Sequence, residues 1–295
     1  MEVKITNISV VIATLGGASI YETIRTINNG SIIPTEILIC IPIEFNKIDM
    51  TKLSFDNIKI IETKEKGQVL QRIIGFQNTI CEFVLQIDDD VILEYNCLEQ
   101  LYNSLTQSDL FTSISPCLFT IKTNLSVYRS SRKIVNKYIL RPFYYLLING
   151  FRGYKQGTIT LAGTQIGIDP SNFENKLIKS EWLPGGCVLH NKNNLVLKNY
   201  FPFNGKAYME DLYHSTILKR NKINLYINKQ AIAYIDDPRD EELTFSSWKK
   251  EISNDFFIRK NLVKITNKSY FHLYMYYTIR ILQFLVKNLI IKTKF

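Results

Sequence analysis

The chain has 295 residues, of which 46% are hydrophobic and 21% are charged, so it can bury a full core and is not a disordered protein. Its formal net charge of +9 is uneven, because residues 110–168 and 256–295 contain no Asp or Glu and carry +8 each, which leaves −7 for the rest. Five widely spaced cysteines without a CxxC pair predict reduced thiols in a cytoplasmic protein, and we expect no secretory signal at the N-terminus.

The first half of the chain alternates predicted strands and helices. Apolar runs predict strands at 8–14, 36–41, 57–63 and 82–87, and helical spacing predicts helices at 16–30, 67–80 and 98–108. This alternation predicts a mostly parallel sheet covered by helices on both faces. Ligands bind such sheets at the carboxyl ends of the strands, and three aspartates, 88–90, follow the fourth predicted strand.

Beyond residue 110 the pattern is less regular. Residues 133–151 are apolar and basic, and residues 181–190 indicate a glycine turn that leads into a short strand. A helix is predicted at 208–221 and a last strand at 230–238.

The tail, about residues 243–295, is predicted to be helical. Arg280 and Lys287 interrupt its apolar run before the ~20 residues that a membrane-spanning helix requires. A polar stripe at helical spacing is formed by His272, Tyr276, Arg280, Gln283, Lys287 and Lys294. This pattern favours an amphipathic helix in the interface of an anionic membrane, and the alternative is a terminal helix packed on the rest of the chain.

The segment QIDDDVIL, residues 86–93, places three carboxylates at the end of a predicted buried strand. Such crowded charges repel one another and resist desolvation unless a cation neutralises them. Carboxylates in Asp-x-Asp spacing suit Mg²⁺ or Mn²⁺, whose other ligands are then diphosphate oxygens and water. Asp88 and Asp90 are therefore predicted metal ligands, and Asp89 is the spacer between them.

Five segments, in order over about residues 6–240, resemble the inverting nucleotide-sugar glycosyltransferases of family 2. They are VVIAT (10–14), KGQVLQRIIG (66–75), QIDDDVIL (86–93), LPGGCVLH (183–190) and GKAYMEDLYHSTILKR (205–220). The resemblance implies a GT-A fold, with a Rossmann-like, mixed and mostly parallel α/β sheet flanked by helices. It implies a catalytic domain at 1–240, with a basic aromatic insertion at about 122–157. The basic, helical C-terminal region, 241–295, is expected to associate with a membrane.

The same resemblance assigns further site residues. The nucleotide-sugar site is implied to contain Thr14, Gly67, Arg72, Asp88 and Asp89. The family commonly has an aspartate after its second strand that holds the base, but CIPIEF (40–45) has none, so Glu44 is the candidate substitute. Ile73 stands where the family has Asn. The acceptor side is implied to contain Trp182, Gly185 and Gly186, and Asp237 is implied as a further metal ligand.

Sugar transfer from a nucleotide diphosphate needs a stabilised leaving group and a base for the attacking hydroxyl. The metal is expected to supply the first, with Arg72 at the phosphates. Asp211 is the predicted base, and Glu210 beside it belongs to the catalytic pair because its charge raises the pKa of Asp211. The alternatives are that Glu210 and Asp211 only complement the helix dipole and that Arg72 is a solvated helix residue.

Two other functions fit parts of the pattern. DDDV (88–91) also satisfies the nucleophile motif of a Mg²⁺-dependent haloacid dehalogenase-type phosphatase, but that motif usually opens its fold, and here two strand–helix units precede it. The acid-free segments also fit a non-catalytic membrane-surface protein. No nucleic-acid-binding module is recognisable, so we expect no nucleic acid partner.

The sequence as a whole favours an inverting glycosyltransferase. We expect it to move a sugar from a nucleotide diphosphate sugar, preferably a UDP-sugar, to a hydroxyl of a lipid-linked or oligosaccharide acceptor. The expected setting is the synthesis of a bacterial surface polysaccharide, O-antigen or capsule, with the enzyme bound peripherally to the anionic inner face of the cell membrane.

Overall fold

The computed structural model describes residues 4–128, 140–151, 153–203, 207–236 and 245–292. It divides into two compact units, each formed by two stretches of the chain. Unit 1 comprises Met1–Arg129 and Ile168–Asp240, and unit 2 comprises Ser130–Gly167 and Glu241–Phe295.

The strands form a large sheet in unit 1 and a short two-stranded sheet in unit 2. They are β1 (Lys4–Ala13), β2 (Ile32–Pro42), β3 (Ile58–Thr63), β4 (Phe83–Asp88), β5 (Ile92–Leu93), β6 (Thr112–Thr120), β7 (Thr158–Ile159), β8 (Gln165–Ile166), β9 (Leu177–Lys179), β10 (Cys187–Asn191) and β11 (Asn224–Ile235). The large sheet has the order β3-β2-β1-β4-β10-β6-β11-β5, and β9 also pairs with β11. The first four strands are mutually parallel, β10 is antiparallel to both neighbours, and β6 and β11 are parallel.

The helices belong to both units. They are α1 (Ile20–Asn28), α2 (Gln68–Gln77), α3 (Cys97–Thr106), α4 (Leu140–Asn149), α5 (Glu210–Arg220), α6 (Phe245–Ile265) and α7 (Tyr270–Lys292).

Strand β1 is buried on both faces because successive side chains of a strand point to opposite sides. Val10 belongs to the core cluster that contains Ile24 of α1, whereas Val11 belongs to the cluster that contains Phe76 of α2. Helix α2 lies very close to the sheet, since a Cβ on Gly75 would overlap the side chain of Val11. This close packing fixes the start of α2 beside the carboxyl ends of β1 and β4.

Unit 2 consists of α4, α6, α7 and the β7–β8 pair. Its core contains Ile148, Ala162, Val263, Leu273, Tyr276 and Tyr277. The buried Arg259 donates to Asp255 at 2.9 Å and to the carbonyl oxygen of Gly163 at 2.6 Å. Tyr276, which the sequence placed in a polar stripe of the tail, therefore faces an internal core. Among the helices described, none combines the length and hydropathy needed to cross a membrane.

The predicted α/β class with a mostly parallel sheet is confirmed, and every element predicted before residue 110 is present within a few residues. The last predicted strand, 230–238, begins earlier than expected, because β11 starts at Asn224. Strand β6 was not predicted. All five cysteines are buried free thiols.

Candidate active site

The carboxyl ends of β1 and β4 lie side by side, because Ala13 pairs with Asp88 in the parallel register. Thr14 follows β1 and donates a hydrogen bond from Oγ1 to Oδ2 of Asp89. The backbone N–H of Gly16 donates to the same hydroxyl oxygen at 2.9 Å. Burial raises the pKa of Asp89 more than the Thr14 hydrogen bond lowers it, and the charge of Asp88 adds to the increase. Two predicted nucleotide-sugar residues, Thr14 and Asp89, are thus in direct contact.

Asp88 is oriented by two donors from α2. Gln68 Nε2 donates to Oδ1 at 2.9 Å and Arg72 Nη2 donates to the same oxygen at 2.5 Å. The other oxygen, Oδ2, faces the backbone of Gly186, where a Cβ would lie 3.3 Å away. The Asp88 side chain is 27% exposed and Asp90 is exposed, so both carboxylates reach the edge of the sheet.

This donor set fits a divalent cation whose remaining ligands come from a diphosphate and water. Mg²⁺ and Mn²⁺ bound with phosphates take only one or two carboxylates from the protein. Asp88 and Asp90 are the two carboxylates that could supply that number of hard oxygen ligands. In the part of the chain that the structure describes, no cluster of three or more His, Cys, Asp or Glu side chains could hold a metal by itself.

Arg72 lies between two carboxylates and is only 1% exposed. Its Nη2 pairs with Asp88, and its Nη1 donates to Oε1 of Glu210. Burial disfavours the charged guanidinium, but the two carboxylates outweigh this effect, so the pKa of Arg72 is raised above its ordinary value. Arg72 is therefore not a solvated helix residue. It links the end of β4 to the start of α5.

Glu210, the first residue of α5, is buried with both carboxylate oxygens engaged. Oε1 accepts the hydrogen bond from Arg72, and Oε2 accepts one from the hydroxyl of Tyr200 at 2.8 Å. A carboxylate held at both oxygens keeps a fixed position and cannot easily accept a substrate proton. This contact with Tyr200 was not predicted from the sequence.

Asp211 follows Glu210 and remains partly exposed. Burial raises the pKa of Asp211 to about 7, and the negative charge of Glu210 adds to the increase. The backbone N–H of Leu212, 3.0 Å from Oδ1, and the charge of Arg72 act in the opposite direction. A carboxylate with a pKa near neutrality is suited to accept a proton at physiological pH.

The glycine turn before β10 lies between these two groups of carboxylates. The carbonyl oxygen of Gly186 accepts a hydrogen bond from the backbone N–H of Asp88 at 2.9 Å, which attaches the turn to β4. A Cβ on Gly185 would overlap Oε1 of Glu210 and lie 3.2 Å from Cβ of Asp211. Glycine is therefore required at Gly185 by the close approach of α5.

Gly67 contributes through a glutamine that was not predicted. Its backbone N–H donates to Oε1 of Gln71 at 3.1 Å, and Gln71 Nε2 donates to the carbonyl oxygens of Thr14 at 2.8 Å and Cys40 at 2.7 Å. Gln71 thus ties the start of α2 to the ends of β1 and β2. The only feature of the sequence that could have indicated this role of Gln71 was a glutamine next to an arginine on an otherwise apolar helix.

The described contacts of this site do not include Glu44 or Trp182. Glu44 is exposed in the short 3-10 helix Ile43–Phe45, which follows β2. Trp182 is 3% exposed and makes an edge-on contact with Tyr128, with ring centroids 5.7 Å apart. Asp237 lies outside the described residues. The assignments of these three residues to base, acceptor and metal stay predictions.

Two buried histidines lie behind Tyr200. The ring of His214 stacks on Tyr200 with centroids 5.1 Å apart, and His190 lies 5.4 Å from His214. Burial lowers the pKa of His214 to about 3 and lowers that of His190 well below its ordinary value, so both rings are neutral. Ser113 Oγ is hydrogen-bonded to Nδ1 of His190 at 2.8 Å. The position of these two neutral rings makes them a support for Tyr200.

Comparison with known proteins bears on the fold. No family model matches the chain, and no curated protein matches its sequence. A crystal structure of GalNAc-T7 with UDP, GalNAc and Mn²⁺ is similar, with a TM-score of 0.55 and 14% identity, over 85% of this chain and 49% of that one. The chain has a GT-A fold.

A crystal structure of S. aureus TarS residues 1–349 overlaps less closely, with a TM-score of 0.49 and 15% identity over 85% of this chain and 65% of that one. The chain thus spans about half the length of the GalNAc-T7 chain and less than two thirds of the TarS fragment. In this GT-A fold, the carboxylates of β4 and the start of α5 are joined through Arg72 at the carboxyl edge of the sheet. Membership of family 2 stays a prediction.

Proposed function

We propose that the chain is an inverting glycosyltransferase that moves a sugar from a nucleotide diphosphate sugar, preferably a UDP-sugar, to a hydroxyl group of a glycan. The observation that carries this proposal is the row of contacts from Asp88 through Arg72 to Glu210, with Asp211 beside it, at the edge of a GT-A sheet. It joins carboxylates suited to a cation and a diphosphate to a carboxylate suited to proton transfer. The UDP, GalNAc and Mn²⁺ in the GalNAc-T7 crystal support the same class of substrate.

On the donor side, Asp88 and Asp90 would hold Mn²⁺ or Mg²⁺, with Asp237 as a further ligand. When bound, the cation stabilises the negative charge that develops on the departing diphosphate. Arg72 and Gln68 fix Oδ1 of Asp88, which keeps Oδ2 directed toward the glycine turn. The nucleotide is placed along the ends of β1 and β2, where the residues assigned to it are Thr14, Glu44, Gly67 and Asp89.

On the acceptor side, Asp211 takes the proton of the attacking hydroxyl. The hydroxyl oxygen forms a bond to the anomeric carbon while the bond from that carbon to the diphosphate oxygen breaks. The proton ends on Asp211 and the negative charge on the diphosphate, and attack opposite the leaving group inverts the anomeric configuration. Glu210 acts through its charge, which adds to the effect of burial in raising the pKa of Asp211, and the acceptor lies along the turn of Gly185 and Gly186.

The proposed acceptor is a lipid-linked glycan in the synthesis of a bacterial surface polysaccharide, O-antigen or capsule, at the inner face of the cell membrane. The resemblance to family 2 supports the pathway class, and the basic C-terminal segment supports the location. The phosphatase alternative receives no support, because the DDDV motif follows the fourth strand of the fold rather than the first.

A screen of nucleotide sugars tests the proposal. The full chain is heated with each nucleotide sugar, with and without Mn²⁺, and the melting temperature and slow hydrolysis of the sugar are measured. At least one donor is expected to raise the melting temperature only with Mn²⁺. Asp90→Asn should lose this shift, whereas Asp211→Asn should keep the shift and lose the slow hydrolysis. A chain that responds to none of the donors would contradict the proposal.

A further inference from the structure

Unit 2 carries the excess positive charge of the protein. Its stretches of sequence contain 16 Lys and Arg residues against four Asp and Glu, whereas unit 1 contains 20 against 23. The formal net charges are therefore +12 for unit 2 and −3 for unit 1. Unit 1, which holds the candidate active site, is therefore not the source of the excess positive charge.

Helix α7 in the same unit presents an apolar face to solvent. Six side chains on it are between 45% and 63% exposed, namely Phe271, Tyr274, Ile281, Leu282, Leu285 and Val286. Their spacing in steps of three and four residues places them on one side of the helix, opposite Leu273 and Tyr277, which pack in the core of unit 2. This set of six residues is called the α7 face. It extends over roughly 22 Å at 1.5 Å per residue.

Other elements of unit 2 add to this surface chemistry. Phe143 of α4 and Phe257 of α6 are 59% and 63% exposed. Lys260, Lys264 and Arg280 are exposed on α6 and α7. Large exposed apolar patches on a folded protein mark interaction sites, and apolar residues combined with cations fit the headgroup level of an anionic bilayer.

Charge complementarity selects this occupant over two others. Pairing the α7 face with that of a second copy would bring two units of +12 together, and such like-charge juxtaposition is unfavourable. A nucleic acid backbone would neutralise the charge but would leave the apolar face without a role. An anionic bilayer satisfies both features, because its phosphates pair with Lys and Arg while its acyl chains receive the apolar residues.

We propose that unit 2 docks the protein on an anionic phospholipid bilayer, with the α7 face inserted at the headgroup level. The link to a lipid-linked acceptor rests on the proposed function, but docking does not. Binding to vesicles is measured without donor or acceptor, so its failure leaves the proposed sugar transfer standing.

The test compares the full chain with two double variants. Ile281→Ser with Leu285→Ser removes two residues of the α7 face. Leu110→Ser with Phe111→Ser is the matched control, since these residues are 66% and 61% exposed in the acidic unit 1. Each protein is sedimented with vesicles of phosphatidylcholine alone or with added phosphatidylglycerol, and unfolding curves confirm that each variant is folded.

The unaltered chain is expected to bind the phosphatidylglycerol vesicles in a salt-sensitive manner and phosphatidylcholine alone weakly. The α7 variant should bind at least about tenfold more weakly, with the control within about twofold of the unaltered chain. Equal binding by the α7 variant, or no binding by the unaltered chain, would overturn docking. So would tight binding to a DNA duplex unaffected by the α7 substitutions, or a dimer in solution that those substitutions dissociate.

Discussion

Replacing Arg72 by Met tests whether one buried guanidinium holds the two halves of the site together. Arg72 is 1% exposed and pairs with Glu210, whose side chain is 7% exposed. Met fills a similar volume but leaves Glu210 buried with only the Tyr200 hydroxyl as a partner. Removing one partner of a buried ion pair costs about 3–5 kcal/mol. Asp88 adds little, because its side chain is 27% exposed and water can solvate the oxygen that is released.

Urea and thermal unfolding measure this loss. For a chain of this size, about 2–4 °C per kcal/mol gives an expected fall in melting temperature of about 6–20 °C. Arg25→Met is the control, since the Arg25–Glu22 pair is about half exposed and should change stability by less than about 0.5 kcal/mol. In Arg72→Met with Glu210→Gln, part of the stability should return because the unpaired charge is removed. An Arg72→Met protein as stable as the control would refute the bridging role.

Three further predictions concern the same site. The rate of sugar transfer should rise with pH through about 7, as Asp211 loses its proton. Asp211→Asn should either be inactive or show a pH–rate profile without this rise. Gly185→Ala should lower kcat by about 100-fold because a Cβ displaces Glu210, whereas Gly17→Ala, with its nearest contact at 3.6 Å, should change kcat by less than about twofold. Below pH 6.5 the unfolded chain binds a proton at His214 that the folded chain excludes until about pH 3. The free energy of unfolding therefore decreases as the pH is lowered, by about 1.4 kcal/mol per pH unit. His214→Phe should remove this contribution. If the unfolding free energies of the unaltered chain and of His214→Phe had the same slope between pH 6 and 5, the prediction would be contradicted.

The parallel half of the sheet and the position of Asp88 could be predicted from sequence because both depend on local patterns. Apolar runs alternate with helical spacing up to α3, and β1, β2 and β4 each contribute a run of buried apolar residues. The aspartates follow such a run directly, so the end of β4 was fixed to within one residue.

Strand β6 could not be predicted, since its sequence TSISPCLFT contains Pro116 and two serines. Both serines are buried and satisfied by distant partners: Ser113 by His190, and Ser115 Oγ by the carbonyl of Cys187 at 2.7 Å. Polar residues in a central strand resemble a loop until those partners are known. Hydrogen bonds between segments that are distant in the chain leave no recognisable pattern in the local sequence.

The same limit applies to the centre of the site. Arg72 and Glu210 are 138 residues apart, so the sequence indicated two separate roles rather than one buried pair. The α7 face also depends on tertiary structure, because the burial of Tyr276 decides which side of the tail helix is exposed.

The central claim is that the edge of the sheet near Asp88 and Asp90 binds a nucleoside diphosphate together with a divalent cation. Isothermal titration of nucleoside diphosphates into the full chain, with and without Mn²⁺, tests it most directly. At least one should bind with Mn²⁺ and at least about tenfold more weakly without it or in Asp90→Asn, while Asp211→Asn should bind like the unaltered chain. Binding that is independent of both Mn²⁺ and Asp90, or no binding at all, would contradict the claim.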